Sequence, residues 1–167
     1  MPIPNSILKF LEKNGVRYDT IDHRTVYTAY DKAATLKVRP NIIGKTLVLK
    51  VDNDLTLVMI SGNKNLDKNK LKKAINTWRK KTGQKLVKKI DFVSERLIKN
   101  KFKGVKLGTL PPFGNLWGMP TFIDKSLFAH KKIFINSGDY ELSLKINSSI
   151  LKKLIPDLIV GQLSKPK

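Results

Sequence analysis

The sequence of 167 residues contains no cysteine, two histidines, and 13 acidic residues against 33 basic ones. Without cysteine the chain cannot form a disulfide, a zinc–thiolate site, an iron–sulfur site or a cysteine nucleophile. The histidines, His23 and His130, lie far apart, and neither has a second ligand at metal-binding spacing. We therefore expect no metal site and exclude thiol chemistry.

Long apolar runs and nucleotide motifs are missing as well. No stretch approaches the ~20 apolar residues that span a bilayer. Residues 1–6 have neither the basic start nor the apolar core of a signal peptide. The sequence also lacks the G-x-S-x-G, Walker and dinucleotide-binding patterns. We therefore expect a cytoplasmic protein with no membrane partner and no cofactor.

Positive charge is concentrated in residues 64–106, called here the basic segment. The whole chain carries a formal net charge of +20, and this segment has 16 basic residues against three acidic ones. Such a stretch is typical of proteins that bind a phosphate backbone. However, 28 of the 33 basic residues are lysine and 12 asparagines accompany them. A composition rich in lysine and asparagine is therefore an equally good explanation of the charge.

Hydrophobic patterning predicts one α/β domain over residues 1–160, with a mixed sheet and helices packed outside it. Hydrophobic residues make up 41% of the chain, which is enough for a core. Predicted helices cover residues 6–14, 29–36, 67–75, 94–100 and 148–154, and predicted strands cover residues 16–23, 45–51, 55–60, 85–88, 133–136 and 142–146. We interpret residues 76–84 as an exposed connector, residues 104–120 as a shaped glycine- and proline-rich loop, and residues 161–167 as a flexible tail.

Five segments, taken in order, resemble a known family. They are Ile43-Gly-Lys45-Thr46-Leu-Val, Gly108-Thr-Leu-Pro-Pro112-Phe-Gly114, Phe122-Ile-Asp124-x-x-Leu127, Ile135-Asn-Ser-Gly138 and the helix at residues 148–154. Their order and spacing resemble the YbaK/ProX family of free-standing aminoacyl-tRNA deacylases, which is related to the editing domain of prolyl-tRNA synthetases. The resemblance covers nearly the whole chain and implies that family's fold, with a strongly curved mixed sheet flanked by short helices.

The resemblance also implies a reaction. Family members hydrolyse the ester that joins a mischarged amino acid to the terminal adenosine of tRNA, and here we expect a small amino acid. Lys45 matches the functional lysine, which we expect to hold the terminal phosphate or ribose. The loop from Gly108 to Pro112 matches the family's oxyanion loop, with backbone donors at Gly108, Thr109 and Leu110. A positioned water or a substrate group then attacks the carbonyl without a covalent intermediate.

Further residues are candidates for binding. Predicted substrate contacts are Thr46, His23, Asn136, Ser137 and Gly138. Predicted contacts to the tRNA acceptor end, taken from the basic segment, are Lys70, Lys73, Arg79, Lys80 and Lys81. An aminoacyl-tRNA synthetase is a further candidate partner.

Several alternatives stay open. His23 also fits a strand-end histidine bonded to backbone, and Asp124 fits a structural cap or turn residue. Trp78 either stacks on a base or covers its own domain. The chain as a whole also fits a non-catalytic tRNA-binding or synthetase-associated module with the same fold. The family has a second glycine-containing substrate loop, which matches Asn136-Ser-Gly138 here. Many members carry Ser-Gly-Gly or Ala-Gly at this loop, so we expect a reshaped amino-acid pocket.

Overall fold

Helices and strands alternate irregularly along the chain, for which a computed structural model describes residues 3–167. The helices are α1 (Asn5–Asn14), α2 (Ala29–Leu36), α3 (Lys68–Lys81), α4 (Glu95–Lys101) and α5 (Leu151–Leu154). The strands are β1 (Asp19–Asp22), β2 (Gly44–Val51), β3 (Asp54–Ser61), β4 (Lys64–Leu66), β5 (Ile90–Phe92), β6 (Thr121–Asp124), β7 (Lys132–Asn136), β8 (Leu142–Asn147), β9 (Ile159–Gly161) and β10 (Ser164–Pro166). None of the helices in this range combines the length and the apolar character needed to cross a membrane.

The strands divide among three sheets. The largest sheet has the order β5-β2-β3-β6-β9, with antiparallel pairing around β2 and parallel pairing around β6. A second, antiparallel sheet has the order β1-β8-β7, and β4 pairs with β10 in a two-stranded ribbon. The predicted α/β class with a mixed sheet is confirmed, whereas strong curvature stays a prediction.

Local signals explain the elements that surround the cleft described below. Thr28 caps α2, because its Oγ1 accepts a hydrogen bond from the N–H of Asp31 at 3.0 Å. The hairpin of β2 and β3 turns at Asp52, whose φ of 54° is a left-handed conformation that aspartate tolerates. Short-range sequence features therefore account for the start of α2 and for the turn between β2 and β3.

Both faces of the five-stranded sheet are covered by apolar side chains. Leu71 and Ile75 of α3 pack with Val58 on one face. On the other face Leu57 packs with Leu110, which belongs to the predicted glycine- and proline-rich loop. Because adjacent residues of a strand point to opposite faces, β3 contributes to both cores. The loop is therefore anchored to the sheet through its own apolar side chains.

Helix α3 is longer than predicted. It continues to Lys81 through part of the segment 76–84, so the prediction of an exposed connector is wrong there. Trp78 extends the inner face of the helix and packs edge-on against Phe122, with ring centroids 5.7 Å apart. The predicted strand at residues 85–88 is also wrong, because the strand that pairs with β2 begins at Ile90.

Residues 161–167 are not a flexible tail. Strand β9 pairs with β6, β10 pairs with β4, and Leu163 between them is fully buried. The carboxylate of Asp124 accepts hydrogen bonds from the N–H of Leu163 at 2.8 Å and from the Oγ of Ser164 at 3.0 Å. Asp124 therefore has the structural role that was left open, and it anchors the end of the chain to the sheet.

Candidate active site

A cleft of about 440 Å³ lies at the start of β2, between the five-stranded sheet and the sheet that contains β7. Ile43, just before β2, forms a single bridge with Phe134 of β7, whereas β5 pairs with β2 only from Leu49 onward. Among residues 3–167, no strand pairs with residues 44–48 on that edge. The two sheets diverge there, and residues 44–47 line the resulting cleft.

Five of the predicted site residues meet in this cleft. They are Lys45, Thr46, Gly108, Thr109 and Asn136. The rest of the wall includes residues 26–30 and Lys32 at α2, Ile43, Gly44 and Leu47 at β2, and Gly62, Asp139 and Lys167. Segments far apart in the sequence therefore converge on one site.

Two side chains of β2 offer polar groups to this site. The side chain of Lys45 is partly buried; this burial lowers its pKa, and the neighbouring Lys167 lowers the pKa further. The hydroxyl of Thr46 is buried and has no hydrogen-bond partner within residues 3–167. An unpaired buried hydroxyl costs free energy, so protein groups alone leave Thr46 unsatisfied.

The loop at Gly108 is held by the loop that follows β7. The N–H of Gly138 donates to the carbonyl of Thr109 at 2.9 Å, and the N–H of Lys106 donates to the carbonyl of Gly138 at 3.3 Å. The ammonium of Lys106 also forms an ion pair with Asp139 at 2.5 Å. These links set the conformation of the loop without any help from a ligand.

The three predicted oxyanion donors differ in availability. The N–H groups of Gly108 and Leu110 have no acceptor within residues 3–167, whereas the N–H of Thr109 donates to the carbonyl of Lys106 at 3.0 Å. The prediction that Thr109 is a free donor is therefore wrong. Leu110 and Pro112 are buried behind the cleft wall. Of the three, Gly108 both lines the cleft and keeps a free N–H, and its φ of 82° suits glycine.

Three predicted substrate contacts lie outside the cleft lining. Ser137 is fully buried, and its Oγ donates to the carbonyl of Leu142. Gly138 has a φ of 97° and faces α1 so closely that a Cβ there would lie 2.7 Å from the Cγ of Pro4. His23 has Nε2 at 2.8 Å from the Oγ of Ser143, and its other ring nitrogen lies 2.8 Å from a backbone carbonyl. These residues support the site from behind or beside it.

Lys32 lines the cleft although it was not among the predicted site residues. Its ammonium donates to the Oδ1 of Asn136 at 2.7 Å, and burial lowers the pKa of Lys32 to about 8. A signal for it exists in the sequence, because positions 29, 32, 33 and 36 share one face of α2 and the others are apolar. A lysine on the inner face of an amphipathic helix indicates a buried charge.

The cleft carries excess positive charge. Lys32, Lys45 and Lys167 line it, and the one acidic side chain among the lining residues, Asp139, is paired with Lys106. Burial alone would raise the pKa of Asp139, but the bond from Lys106 and the N–H of Glu141 outweigh it and lower that pKa. Asp139 therefore stays ionised and paired, and the unpaired lysines favour an anionic ligand. Within residues 3–167, no three histidine, aspartate or glutamate side chains are grouped to hold a metal ion.

A second concave surface, called here the α3 groove, has a volume of about 680 Å³. Its lining includes Lys70, Lys73, Trp78 and Lys81 of α3 together with Val160 of β9. Lys80 is exposed and lines a smaller depression beside it. Four of the five lysine and arginine residues predicted to contact nucleic acid are therefore on one surface.

Arg79 is the exception, and its prediction as a nucleic-acid contact is wrong. The residue is 8% exposed, and its guanidinium pairs with Asp52 at 3.0 Å and donates to the carbonyl of Lys85. Asp52 also accepts from the N–H groups of Lys88 and Lys89. The guanidinium therefore joins α3 to the β2–β3 turn instead of facing solvent.

The ribbon of β4 and β10 connects the α3 groove with the cleft. Gly62 and Lys167, which flank the ribbon, line the cleft, and Lys64 lies opposite Pro166 within the ribbon. At the other end, the ammonium of Lys70 donates to the carbonyl of Ser164 at 3.0 Å. Basic side chains therefore follow one surface from the cleft to α3.

This chain matches one protein family and is similar to several solved structures. Residues 23–154 match the aminoacyl-tRNA editing domain family. A solved structure named as a candidate trans-editing enzyme for prolyl tRNA synthetase is 19% identical with a TM-score of 0.76, covering 99% of this chain and 98% of that one. The hypothetical protein APE2540 is 18% identical with a TM-score of 0.78, covering 96% of this chain and all of that one. At such identities the solved structures show a shared fold.

Proposed function

We propose that this chain, which belongs to the aminoacyl-tRNA editing domain family, is a trans-editing hydrolase. Its substrate is the ester of a tRNA mischarged with a small amino acid. The observation that carries the proposal is the convergence of Lys45 and Gly108, whose N–H has no acceptor within residues 3–167, in one positively charged cleft. That arrangement suits an anionic substrate whose reaction develops negative charge on oxygen.

Hydrolysis by this site requires no side-chain nucleophile. Lys45 holds the terminal phosphate or ribose of the tRNA, so that the ester carbonyl lies against the Gly108 loop. The oxygen of a water molecule bonds to the carbonyl carbon, and the N–H of Gly108 stabilises the oxyanion. The bond to the ribose oxygen then breaks, and the proton from the water passes to that oxygen. The products are the free amino acid and uncharged tRNA.

The contacts that hold the Gly108 loop in place support this role. A backbone donor contributes most to the rate when it already faces the developing charge, and the loss of one donor typically lowers the rate about 10²–10³-fold. Here the links from Gly138 and from the Lys106–Asp139 ion pair hold the loop before any substrate binds. The loop therefore needs little reorganisation during the reaction.

The mouth of the cleft and the α3 groove suit RNA. Tyr27 and Tyr30 line the cleft and are 69% and 47% exposed, and bases stack on such aromatic side chains. From there the basic ribbon leads to the lysines of the α3 groove, which would neutralise phosphates of the acceptor stem. The acceptor end of tRNA is thus the favoured nucleic-acid partner.

A deacylation assay tests the enzyme. Purified protein is incubated with tRNAs charged with alanine, cysteine, serine or threonine, and the remaining aminoacyl-tRNA is measured over time. We expect at least one ester to be lost faster than in buffer alone. Saturable binding of tRNA with no loss of any ester above the spontaneous rate would instead favour the non-catalytic tRNA-binding module.

A paired lysine variant tests the α3 groove. Replacing Lys73 and Lys81 with glutamine should raise the Kd for tRNA roughly tenfold. The slope of log Kd against log salt concentration should fall by about the amount expected for two lost phosphate contacts. The matched control replaces Lys9 and Lys13, exposed lysines of α1, and removes the same charge from another helix. Equal losses of affinity in the two variants would mean that the affinity for tRNA depends only on the net charge of the protein and not on the α3 groove.

A further inference from the structure

Lys32 is a buried ammonium without an acidic partner. The residue is 6% exposed, and none of the four ion pairs formed within residues 3–167 includes it. Its one hydrogen-bond partner there is the neutral Oδ1 of Asn136 at 2.7 Å. Because a buried charge is costly unless it is paired or fully hydrogen-bonded, protein groups alone leave Lys32 poorly satisfied.

The unused donors of Lys32 belong to the cleft. One N–H is taken by Asn136, and the others have no acceptor within residues 3–167. Lys32 lines the cleft, whose carboxylate at Asp139 is already paired with Lys106. A ligand that enters the cleft therefore meets free charged donors, which bind an oxygen acceptor more strongly than neutral donors do.

Asn136 holds this ammonium beside the candidate oxyanion loop. The amide nitrogen of Asn136 donates to the carbonyls of Leu110 at 3.2 Å and Gly108 at 3.4 Å. A flipped amide would turn its oxygen toward those carbonyls and its NH₂ toward the ammonium, so the hydrogen-bond network selects the orientation seen. Lys32 is thus positioned next to the loop against which the ester is proposed to lie.

Part of the surrounding wall is apolar. Val26, Ala29 and Ile43 line the same cleft. An apolar side chain of the aminoacyl group would pack against these residues but would leave the donors of Lys32 unpaired. Sites with buried polar groups discriminate strongly against ligands that lack the matching atom, because the unpaired group is then penalised.

We propose that Lys32 determines amino-acid specificity by binding a side-chain oxygen, either a hydroxyl or a carboxylate, of the aminoacyl group. The inference rests on the proposed function, since it requires the aminoacyl end of tRNA to enter the cleft. It favours esters of amino acids whose side chain carries an oxygen, such as serine, threonine or aspartate, over the alanyl ester. The lowered pKa of Lys32 agrees with a cation that lacks a partner.

Binding of non-hydrolysable analogues tests this role. Adenosine carrying an amide-linked seryl, aspartyl or alanyl group is titrated into the protein by calorimetry. We expect the seryl or the aspartyl analogue to bind about 10- to 100-fold more tightly than the alanyl one, as for a hydrogen bond to a charged group. The two oxygen-bearing analogues distinguish a hydroxyl from a carboxylate ligand.

Variants on α2 provide the comparison. Lys32→Met should remove the preference by weakening the oxygen-bearing analogues without weakening the alanyl one. Lys37→Met, at an exposed position just after the same helix, should keep the preference. Lys32→Gln retains a donor toward Asn136 and is the second variant if Lys32→Met does not fold. It should lose any preference for the carboxylate.

The possible results separate this inference from the hydrolase itself. If Lys32→Met weakens the binding of all three analogues equally, Lys32 contributes to affinity without distinguishing side chains, and the specificity role is overturned. A wild-type preference for the alanyl analogue, or no binding of any analogue, would overturn it as well. Because the analogues cannot be cleaved, none of these results depends on turnover, which the deacylation assay judges separately.

Discussion

Replacing Lys45 with alanine should lower kcat/KM for deacylation by roughly 10²-fold or more while the protein stays folded. Lys45 is the second residue of β2, and its side chain lies at the cleft, where it is proposed to hold the terminal phosphate or ribose. Without it the ester is no longer held against the Gly108 loop. Single-turnover deacylation and thermal unfolding, measured on the same preparations, check both parts of this expectation.

The control for this variant comes from the same strand. Lys50 is exposed and does not line the cleft, so Lys50→Ala should keep the wild-type rate. Lys45→Arg retains the positive charge and should recover part of the lost activity. An unchanged rate in Lys45→Ala, or a loss that follows a fall in Tm, would remove Lys45 from the proposed mechanism.

Replacing Gly114 with alanine should destabilise the protein by about 3 kcal/mol or more. The N–H of Gly114 donates to the Oγ1 of Thr121 at 3.0 Å, and a Cβ at this position would overlap that Oγ1 and the carbonyl oxygen of Met119. It would also lie 3.2 Å from the carbonyl oxygen of Pro120. Backbone atoms cannot rotate away as a side chain can, so the loop itself must move. Denaturant unfolding measures the cost.

Gly118 is the matched control within the same loop. A Cβ there meets no atom within 4 Å, although its φ of 72° is unfavourable for other residues. Gly118→Ala should therefore cost only about 1 kcal/mol. Equal costs at the two glycines would contradict the packing argument. Because Gly108 lies in the same loop, Gly114→Ala should also lower activity at temperatures where the protein remains folded.

Local signals were sufficient for much of the fold. The capping of α2 by Thr28 and the turn at Asp52 depend on residues within a few positions of each other, so they are visible in the sequence. The short strands β9 and β10 were missed because three residues are too few to show a period. Their stability comes from pairing with distant strands and from Asp124.

Arg79 and Lys32 show why the charges were harder to interpret. Both are cations in a chain with many exposed lysines, and composition does not distinguish a buried cation from a solvated one. Arg79 is buried because Asp52, at a remote turn, provides its partner. Lys32 is buried because Asn136, at the end of β7, provides an acceptor. Each partner is remote in the sequence, and only folding brings it close.

The sequence by itself determined the class of fold, the excess of positive charge, the family resemblance and the glycine- and proline-rich loop. These properties follow from composition, from periodicity and from motifs whose residues are near one another. Only the tertiary structure decided that Gly108 keeps a free N–H while Thr109 does not, and that Lys32 faces the cleft. Burial and hydrogen-bond partners depend on which distant segments meet. Here those segments meet beside the first residues of β2, between the bridge of Ile43 to β7 and the point at Leu49 where pairing with β5 begins.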